Sequence, residues 1–152
     1  VLRLQDRPLH VGSCDRTNVD YQVRYRDLLD NDTLSQRGAA MDDLVRFLGT
    51  QHSQAQTVGV PCNGIIYVHR QKDTLAMAEC IQKRTGIATA GYHGGLKDAD
   101  RAYIQQAWTT GDIPVAVATV AFGMGIDLPH VRYVVHWNLP KTVEGFYQES
   151  GR

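Results

Sequence analysis

The 152-residue chain is long enough to bury a sizeable core, and its 43% hydrophobic and 21% charged residues are typical of a globular domain rather than a disordered or fibrous chain. Sixteen basic and sixteen acidic side chains cancel, so any nucleic-acid contact must be local rather than a result of overall charge. The three cysteines show no C-x-x-C spacing and support neither a disulfide framework nor a zinc site, and no apolar run approaches the ~18 residues of a membrane span. A reducing, intracellular compartment is therefore expected.

The first part of the chain predicts a strand, a helix and a loop. Residues 19–25 alternate between apolar and polar side chains, which indicates a half-buried strand. From Gly38 onward apolar residues recur at helical spacing as far as Leu48, and Gly49 stands where a C-terminal helix glycine is expected. The following stretch, 50–63, is rich in Gln, Ser and Thr and contains a proline, which predicts an exposed loop.

The remainder alternates between strands and helices. We predict strands at 64–68, 87–92, 115–119 and 131–137, and helices at 72–84, 97–108 and 142–149. The apolar runs at 115–119 and 131–137 lack polar alternation, which suits strands covered on both faces. This order predicts an α/β fold with a parallel sheet and helices on both of its faces.

Two of these helices carry an apolar face. In the helix at 72–84 the expected buried side chains are Leu75, Ala78 and Ile81. In the helix at 97–108 they are Tyr103, Ile104, Ala107 and Trp108, and Gly111 is expected to end the helix.

Four segments with polar side chains would emerge at one edge of such a sheet, where open α/β sheets bind their ligands. They are 68–72 (VHRQK), 92–96 (YHGGL), 119–127 (TVAFGMGID) and 148–152 (QESGR). Each segment by itself also has an ordinary structural interpretation.

On the first two segments, Arg70 and Lys72 fit either a phosphate contact or a solvated helix start. His93 fits a ligand contact or a turn histidine bonded to backbone. Gly94 and Gly95 fit simple turn chemistry or the close approach of a nucleic-acid backbone.

On the other two segments, Thr119 fits either a ligand contact or a β-branched strand end. Asp127 either caps its loop or accepts hydrogen bonds from a ribose hydroxyl. Arg152 is either a cation at a helix end or an arginine finger that meets a phosphate.

In order and spacing, the four segments resemble the second motor domain of superfamily 2 helicases, and most closely the RecQ family. GIIYVHRQKDTLAMAECIQ resembles motif IV, YHGGLKDADR the motif between IV and V, VAVATVAFGMGIDLPHVRYVVHWNLPK motif V with its following strand, and GFYQESGR the first part of motif VI. Upstream, Asp15, Arg16, Asn18, Tyr21 and Val23 are similar to the segment with which these domains begin.

The resemblance implies a RecA-like three-layer α/β/α domain with a mainly parallel sheet. Residues 1–152 would form one helicase C-terminal domain within a longer chain. The implied activity is that of an ATP-dependent 3′-to-5′ DNA helicase in recombination and repair, which hydrolyses ATP in the full-length protein and is inactive as this lobe alone.

The implied partners are single-stranded and forked DNA and the N-terminal RecA-like lobe of the same chain. That lobe would supply most of the contacts to ATP and Mg²⁺, because this sequence contains no G-x-x-x-x-G-K-[ST] phosphate loop. The GMGID form of motif V resembles eukaryotic members, which implies a nuclear location.

Position by position, the resemblance places two groups of residues. Those implied to contact DNA are Arg70, Lys72, His93 and Thr119. Those implied to face ATP are Gly125, Asp127, Gln148 and Arg152, with Arg152 as the catalytic arginine finger. Two alternatives remain: a DEAD-box-like RNA helicase lobe, whose motifs more usually read R-G-L-D and H-R-x-G-R, and a non-catalytic nucleic-acid-binding module with the same fold.

Overall fold

Four helices and four strands make up the described part of the chain in a computed structural model that describes residues 18–25, 36–122 and 131–151. The elements are α1 (Gln36–Val58), β1 (Asn63–Tyr67), α2 (Gln71–Thr85), β2 (Thr89–Tyr92), α3 (Asp98–Thr110), β3 (Val115–Ala118), β4 (Val131–His136) and α4 (Val143–Ser150). None of the described helices has the length and hydrophobicity needed to cross a membrane.

The four strands form one sheet in the order β2-β3-β1-β4, and all three neighbouring pairs are parallel. The predicted parallel sheet is therefore confirmed. β3 consists of small and β-branched residues (VAVA), β1 has the sequence NGIIY, and every residue of both strands is buried. Such strands can be buried on both sides because helices cover both faces of the sheet.

Two apolar clusters, one on each face, make the fold a three-layer α/β/α domain. On the first face α1 and α2 cover the sheet, with Leu44, Leu48, Met77, Ala78, Ile81, Ile66, Val115, Val117 and Tyr133 in the cluster. On the second face α3 covers the sheet, with Ile65, Tyr67, Tyr92, Trp108, Ala116, Ala118 and Phe122. Trp108 is fully buried and its Nε1 donates to the carbonyl of Gly64 at 3.2 Å, which anchors α3 on β1.

The predicted end of the first helix at Gly49 and the predicted loop at 50–63 are wrong, because α1 continues to Val58. Two side chains beyond Gly49 attach this part of the helix to the domain. Ala55 joins the first apolar cluster, and His52 contacts Tyr133 across a 3.0 Å hydrogen bond. The helix ends at Gly59, whose φ of 70° is the left-handed conformation expected at a helix terminus.

The predicted strand at 19–25 is also wrong, because residues 19–25 have no strand partner among the described residues. The segment is held through side chains instead. The ring of Tyr21 contacts Phe146 of α4 at 5.8 Å between centroids. The Arg24 guanidinium binds both carboxylate oxygens of Asp43 at 2.7 Å and lies 5.3 Å from the centre of the Phe47 ring. Alternation of side chains alone does not supply the neighbouring strand that a ladder needs.

The orientation of the middle helices differs from the sequence prediction in two places. Leu75 and Tyr103 were expected in the core but are 50% and 67% exposed. In α2 the buried face is formed by Thr74, Met77, Ala78 and Ile81. The predicted Ala78 and Ile81 are therefore buried, but the face is rotated about the helix axis so that Thr74 takes the place of Leu75. In α3 the buried residues are Ala107 and Trp108, and Gly111 ends the helix with a φ of 87°, as predicted.

Candidate nucleic-acid and nucleotide site

The loops after β1, β2 and β3 lie against one another at the carboxyl edge of the sheet. The backbone N–H of Thr119 donates to the carbonyl of Tyr92 at 3.2 Å. A Cβ at position 95 would lie 2.8 Å from Oε1 of Gln71, and a Cβ at position 94 would lie 4.0 Å from the Cβ of Ala121. The structure thus brings together the first two of the four polar segments that the sequence singles out and residues 119–122 of the third.

Arg70 and Lys72 stand at the start of α2, where Arg70 is the N-cap residue. Both side chains are exposed, and neither forms a hydrogen bond or ion pair with any residue in the described part of the chain. Cations are unfavourable beside a helix N-terminus, by roughly 0.3–1 kcal/mol each, because the helix dipole is positive there. Two cations on a helix start that already has unpaired N–H groups form a local positive site suited to a phosphate.

His93 and Gly95 form a tight turn at the end of β2. The Nδ1 atom of His93 accepts a hydrogen bond from the backbone N–H of Gly95 at 3.1 Å, so a neutral ring carries its proton on Nε2. The turn interpretation of His93 is therefore correct, and it leaves Nε2 as a donor with no partner among the described residues. A Cβ at position 95 would lie 2.8 Å from Oε1 of Gln71 and 3.1 Å from Nδ1 of His93, so a side chain there would require the exposed Gln71 amide to shift.

Thr119 is only 8% exposed, so its side chain offers little surface to a ligand. Its carbonyl accepts from the N–H of Phe122 at 3.0 Å, which folds the start of the following loop. Val120 is 62% exposed and presents the larger accessible side chain at this point of the edge. The backbone that follows, 123–130, lies outside the described residues, and so do the predicted positions Gly125 and Asp127.

The fourth segment is tied to the same edge through β1 and β4. The N–H of His69 donates to the Asn138 side-chain oxygen at 3.3 Å, and His69 Nε2 lies 2.9 Å from the carbonyl of Leu139. These contacts hold the loop after β4 against the loop after β1. Pro140 follows, and the Thr142 hydroxyl then accepts the N–H of Gly145 at 3.0 Å as the N-cap of α4.

Near the end of α4, Gln148 is exposed and its amide forms no hydrogen bond with a described residue. The neighbouring Glu149 turns back to β4, where its Oε2 lies 3.0 Å from Nε2 of His136. Because His136 is the last residue of β4, this contact sets the end of α4 beside the carboxyl edge of the sheet. Arg152 itself lies outside the described residues.

Burial lowers the pKa of His136, and the nearby Glu149 carboxylate opposes this by raising it to a smaller extent. His136 and Glu149 are 10% and 13% exposed at their side chains. The contact is close, but it does not follow the direction of the ring N–H, so His136 Nε2 lacks a well-aligned acceptor. A largely neutral imidazole thus faces a largely buried carboxylate.

Sequence reasoning missed several residues of this edge. His69, Gln71, Asn138, His136 and Glu149 form its contacts but were not assigned roles. Their signal was their position, since each lies at or just after the end of a predicted strand or within the QESGR segment. The partners of each pair are separated by at least 13 residues in the chain. Local sequence patterns therefore could not predict which residues would contact each other.

Comparison with known proteins identifies the family to which this chain belongs. Residues 40–152 match the family described as helicase conserved C-terminal domain. The chain is 35% identical over 151 residues to the ATP-dependent DNA helicase RecQ of Pasteurella multocida, which covers 99% of this chain and 21% of that protein. It is 53% identical over 91 residues to the RecQ-like DNA helicase BLM of Xenopus laevis, which covers 59% of this chain and 7% of that protein.

The fold is similar to that of the Mycobacterium smegmatis helicase Lhr, in a structure bound to single-stranded DNA and AMP-PNP. The TM-score is 0.66 at 19% identity, over 84% of this chain and 16% of that chain. The chain spans about a fifth, or less, of the length of the curated relatives that it matches. It belongs to the helicase conserved C-terminal domain family, and within it the chain is a RecQ-type C-terminal lobe.

Proposed function

We propose that this lobe is one half of an ATP-dependent 3′-to-5′ DNA helicase that acts in recombination and repair. Arg70, Lys72 and His93 contact single-stranded DNA, including the single strand of a fork, and Thr119 adds the small part of its surface that is accessible at the same edge. The other half is a second RecA-like lobe of the same protein, and ATP binds between the two.

One observation carries this proposal: cationic and donor groups from successive strand ends converge at one edge. The Arg70 and Lys72 side chains are exposed without partners among the described residues, and the His93 Nε2 donor belongs to a turn packed against the start of the same helix. A single strand presents regularly spaced phosphates, which such groups can contact without reading the base sequence.

On the nucleotide side we propose that Gly125, Asp127, Gln148 and Arg152 face ATP. The Gln148 amide, which has no hydrogen-bond partner among the described residues, fits this role because it is exposed beside the carboxyl edge and can donate to or accept from a nucleotide. ATP supplies the phosphoryl group whose transfer to water drives movement along DNA. Arg152 stabilises the charge that develops on the phosphates.

The Mg²⁺ ion and most of the triphosphate contacts belong to the other lobe, because the sequence of this one contains no G-x-x-x-x-G-K-[ST] phosphate loop. The isolated lobe is therefore inactive in ATP hydrolysis and unwinding. For the complete protein we propose a nuclear location, which the GMGID resemblance to eukaryotic members supports; imaging of the tagged protein tests it.

The experiment is DNA-stimulated ATP hydrolysis by the complete protein that contains these residues, comparing the wild type with Arg152→Ala. We expect turnover to fall by about three orders of magnitude while ATP binding persists, which is the usual scale for loss of an arginine finger. Lys83→Ala is the control, since Lys83 is exposed in the last turn of α2, away from the carboxyl edge. Unchanged turnover in Arg152→Ala would favour a non-catalytic binding module.

Polarity is tested separately with partial duplexes that carry either a 3′ or a 5′ single-stranded tail. We expect unwinding only of the duplex with the 3′ tail. Preference for the 5′ tail, or for RNA duplexes, would contradict the proposed activity.

A further inference from the structure

A row of four rings joins the N-terminal segment, α4, β4 and β1. The centroid of Tyr21 lies 5.8 Å from that of Phe146, Phe146 lies 5.2 Å from His136, and His136 lies 5.7 Å from Tyr67. The His136 and Tyr67 rings are stacked, with 20° between their planes. We call these four residues the aromatic row.

The inner end of the aromatic row contacts the start of the loop after β3. The Tyr67 hydroxyl donates to the carbonyl of Phe122 at 3.1 Å, and this hydrogen bond is buried. Phe122 is 1% exposed and is the last described residue before 123–130, the stretch that contains Gly125 and Asp127. A continuous set of contacts therefore runs from α4, the helix that carries Gln148, to Phe122, the residue that precedes 123–130.

The helix that carries Gln148 has little apolar anchoring of its own. None of the residues of α4 is buried, although the helix has eight residues and an N-cap. Among the described residues, two side chains of α4 contact the sheet at His136: Phe146 touches the His136 ring, and Glu149 faces His136 Nε2. Both contacts meet at one residue, so the angle of α4 on the sheet depends on His136.

We propose that His136 is a positioning residue, which, packed between Tyr67 and Phe146 and facing Glu149, holds α4 so that Gln148 and the motif VI segment that follows are aligned with the ATP site. This inference rests on the proposed function of the lobe. His136 does not touch the nucleotide in this role. It acts through Glu149 on the helix end and through Tyr67 on the loop after β3.

The choice of residue types supports positioning rather than simple core packing. An apolar side chain at position 136 would fill the same space without burying a nitrogen beside a carboxylate, which costs free energy unless the pair is well bonded. A buried pair of this kind adds little net stability, but it restricts the helix to arrangements in which the two groups meet. In the described part of the chain, the titratable groups that face the imidazole are the Glu149 carboxylate of α4 and the Tyr67 phenol of β1.

The test uses the complete protein with His136→Phe, Glu149→Gln and the double variant. His136→Phe keeps a ring in the aromatic row but removes both nitrogens, whereas Glu149→Gln is isosteric and removes only the charge. We expect each single change to lower kcat for DNA-stimulated ATP hydrolysis about tenfold, with KM for ATP and the Kd for single-stranded DNA within about twofold of wild type. The double variant should lose no more than the worse single variant, because both changes break one contact.

Thermal unfolding checks that each variant is folded, and the isosteric Glu149→Gln keeps the test decisive if His136→Phe does not fold. Wild-type kcat in folded Glu149→Gln, or losses that multiply in the double variant, would overturn the proposal. Arg152→Ala, assayed in parallel, distinguishes failure of this inference from failure of the proposed function. If only Arg152→Ala loses turnover, the positioning role fails and the proposed function stands; if Arg152→Ala keeps turnover, the proposed function itself fails.

Discussion

The ring of Tyr133 occupies the space that any side chain at position 64 would need: a Cβ on Gly64 would lie 2.0 Å from Cε2 of Tyr133. The strand register shifts between Asn63 and Gly64, so that β4 contains one extra residue there and Tyr133 turns toward α1. Its hydroxyl lies 3.0 Å from His52 Nε2, and its ring meets Phe47 edge-on at 5.4 Å. The close approach of Gly64 to Tyr133 thus joins β1, β4 and the far half of α1.

Replacement of Gly64 by Ala should destabilise the domain by about 3 kcal/mol or more, because neither the strand backbone nor a side chain that is 8% exposed can move aside easily. Urea unfolding of the two proteins measures the difference. Gly38→Ala is the matched control, since a Cβ there meets nothing within 4 Å and the position is an exposed helix residue. Equal stability of the Gly64→Ala variant and the wild type would contradict this account.

The continuation of α1 through Gly49 gives a prediction of opposite sign. In a helix interior with free space around it, Gly49→Ala should stabilise the domain by about 0.5–1 kcal/mol. Gly59→Ala should destabilise it by about 1 kcal/mol, because the φ of 70° at this position strains an L side chain. Urea midpoints of the two variants distinguish the helix ends: if α1 ended at Gly49, Gly49→Ala would destabilise the domain instead.

Stability should fall as the pH drops below about 6.5, the ordinary pKa of histidine. Burial lowers the pKa of His52, and it lowers the pKa of His136 despite the opposing Glu149. The unfolded chain therefore binds protons in a pH range where the folded chain does not. The share of the free energy of unfolding that depends on neutral His52 and His136 is fully present above pH 6.5 and is lost as the pH falls.

His52→Gln tests the His52 share of this pH dependence, because glutamine can still bond the Tyr133 hydroxyl but does not titrate. Urea unfolding at pH 7.5 and pH 5.5 should show a smaller loss for this variant than for the wild type. The same loss in both proteins would mean that His52 contributes nothing to the pH dependence.

Arg70→Ala and Lys72→Ala should each weaken single-stranded DNA binding by the complete protein roughly three- to tenfold near 0.1 M salt, without regard to sequence. The slope of log affinity against log salt should fall by about 0.7 for each phosphate contact that is lost. Fluorescence anisotropy with a labelled oligonucleotide measures both quantities. Lys83→Ala removes one charge from the other end of the same helix and should change neither; an equal effect at Lys83 would point to overall charge instead.

The amino-acid pattern by itself determined the layering of this domain. The apolar run at 115–118 has no polar alternation, so it could be buried only inside a sheet covered on both faces, and all of its residues are buried. Gly111 ended its helix as predicted because a C-terminal glycine acts through its own backbone conformation. These features depend on residues close together in the chain, and the motif resemblance to RecQ helicases likewise rests on contiguous segments.

Only the tertiary structure decided the features that depend on contacts between distant residues. Gly49 resembles a helix end, but α1 passes through it because His52 and Ala55 find partners on β4 and in the core. The buried face of α2 includes Thr74 rather than Leu75, and it lies where β2 passes so close that a Cβ at Gly91 would lie 2.9 Å from the Thr74 backbone. His136 and Glu149 meet because a strand and a helix fold back on each other, and no local preference of either residue encodes that meeting.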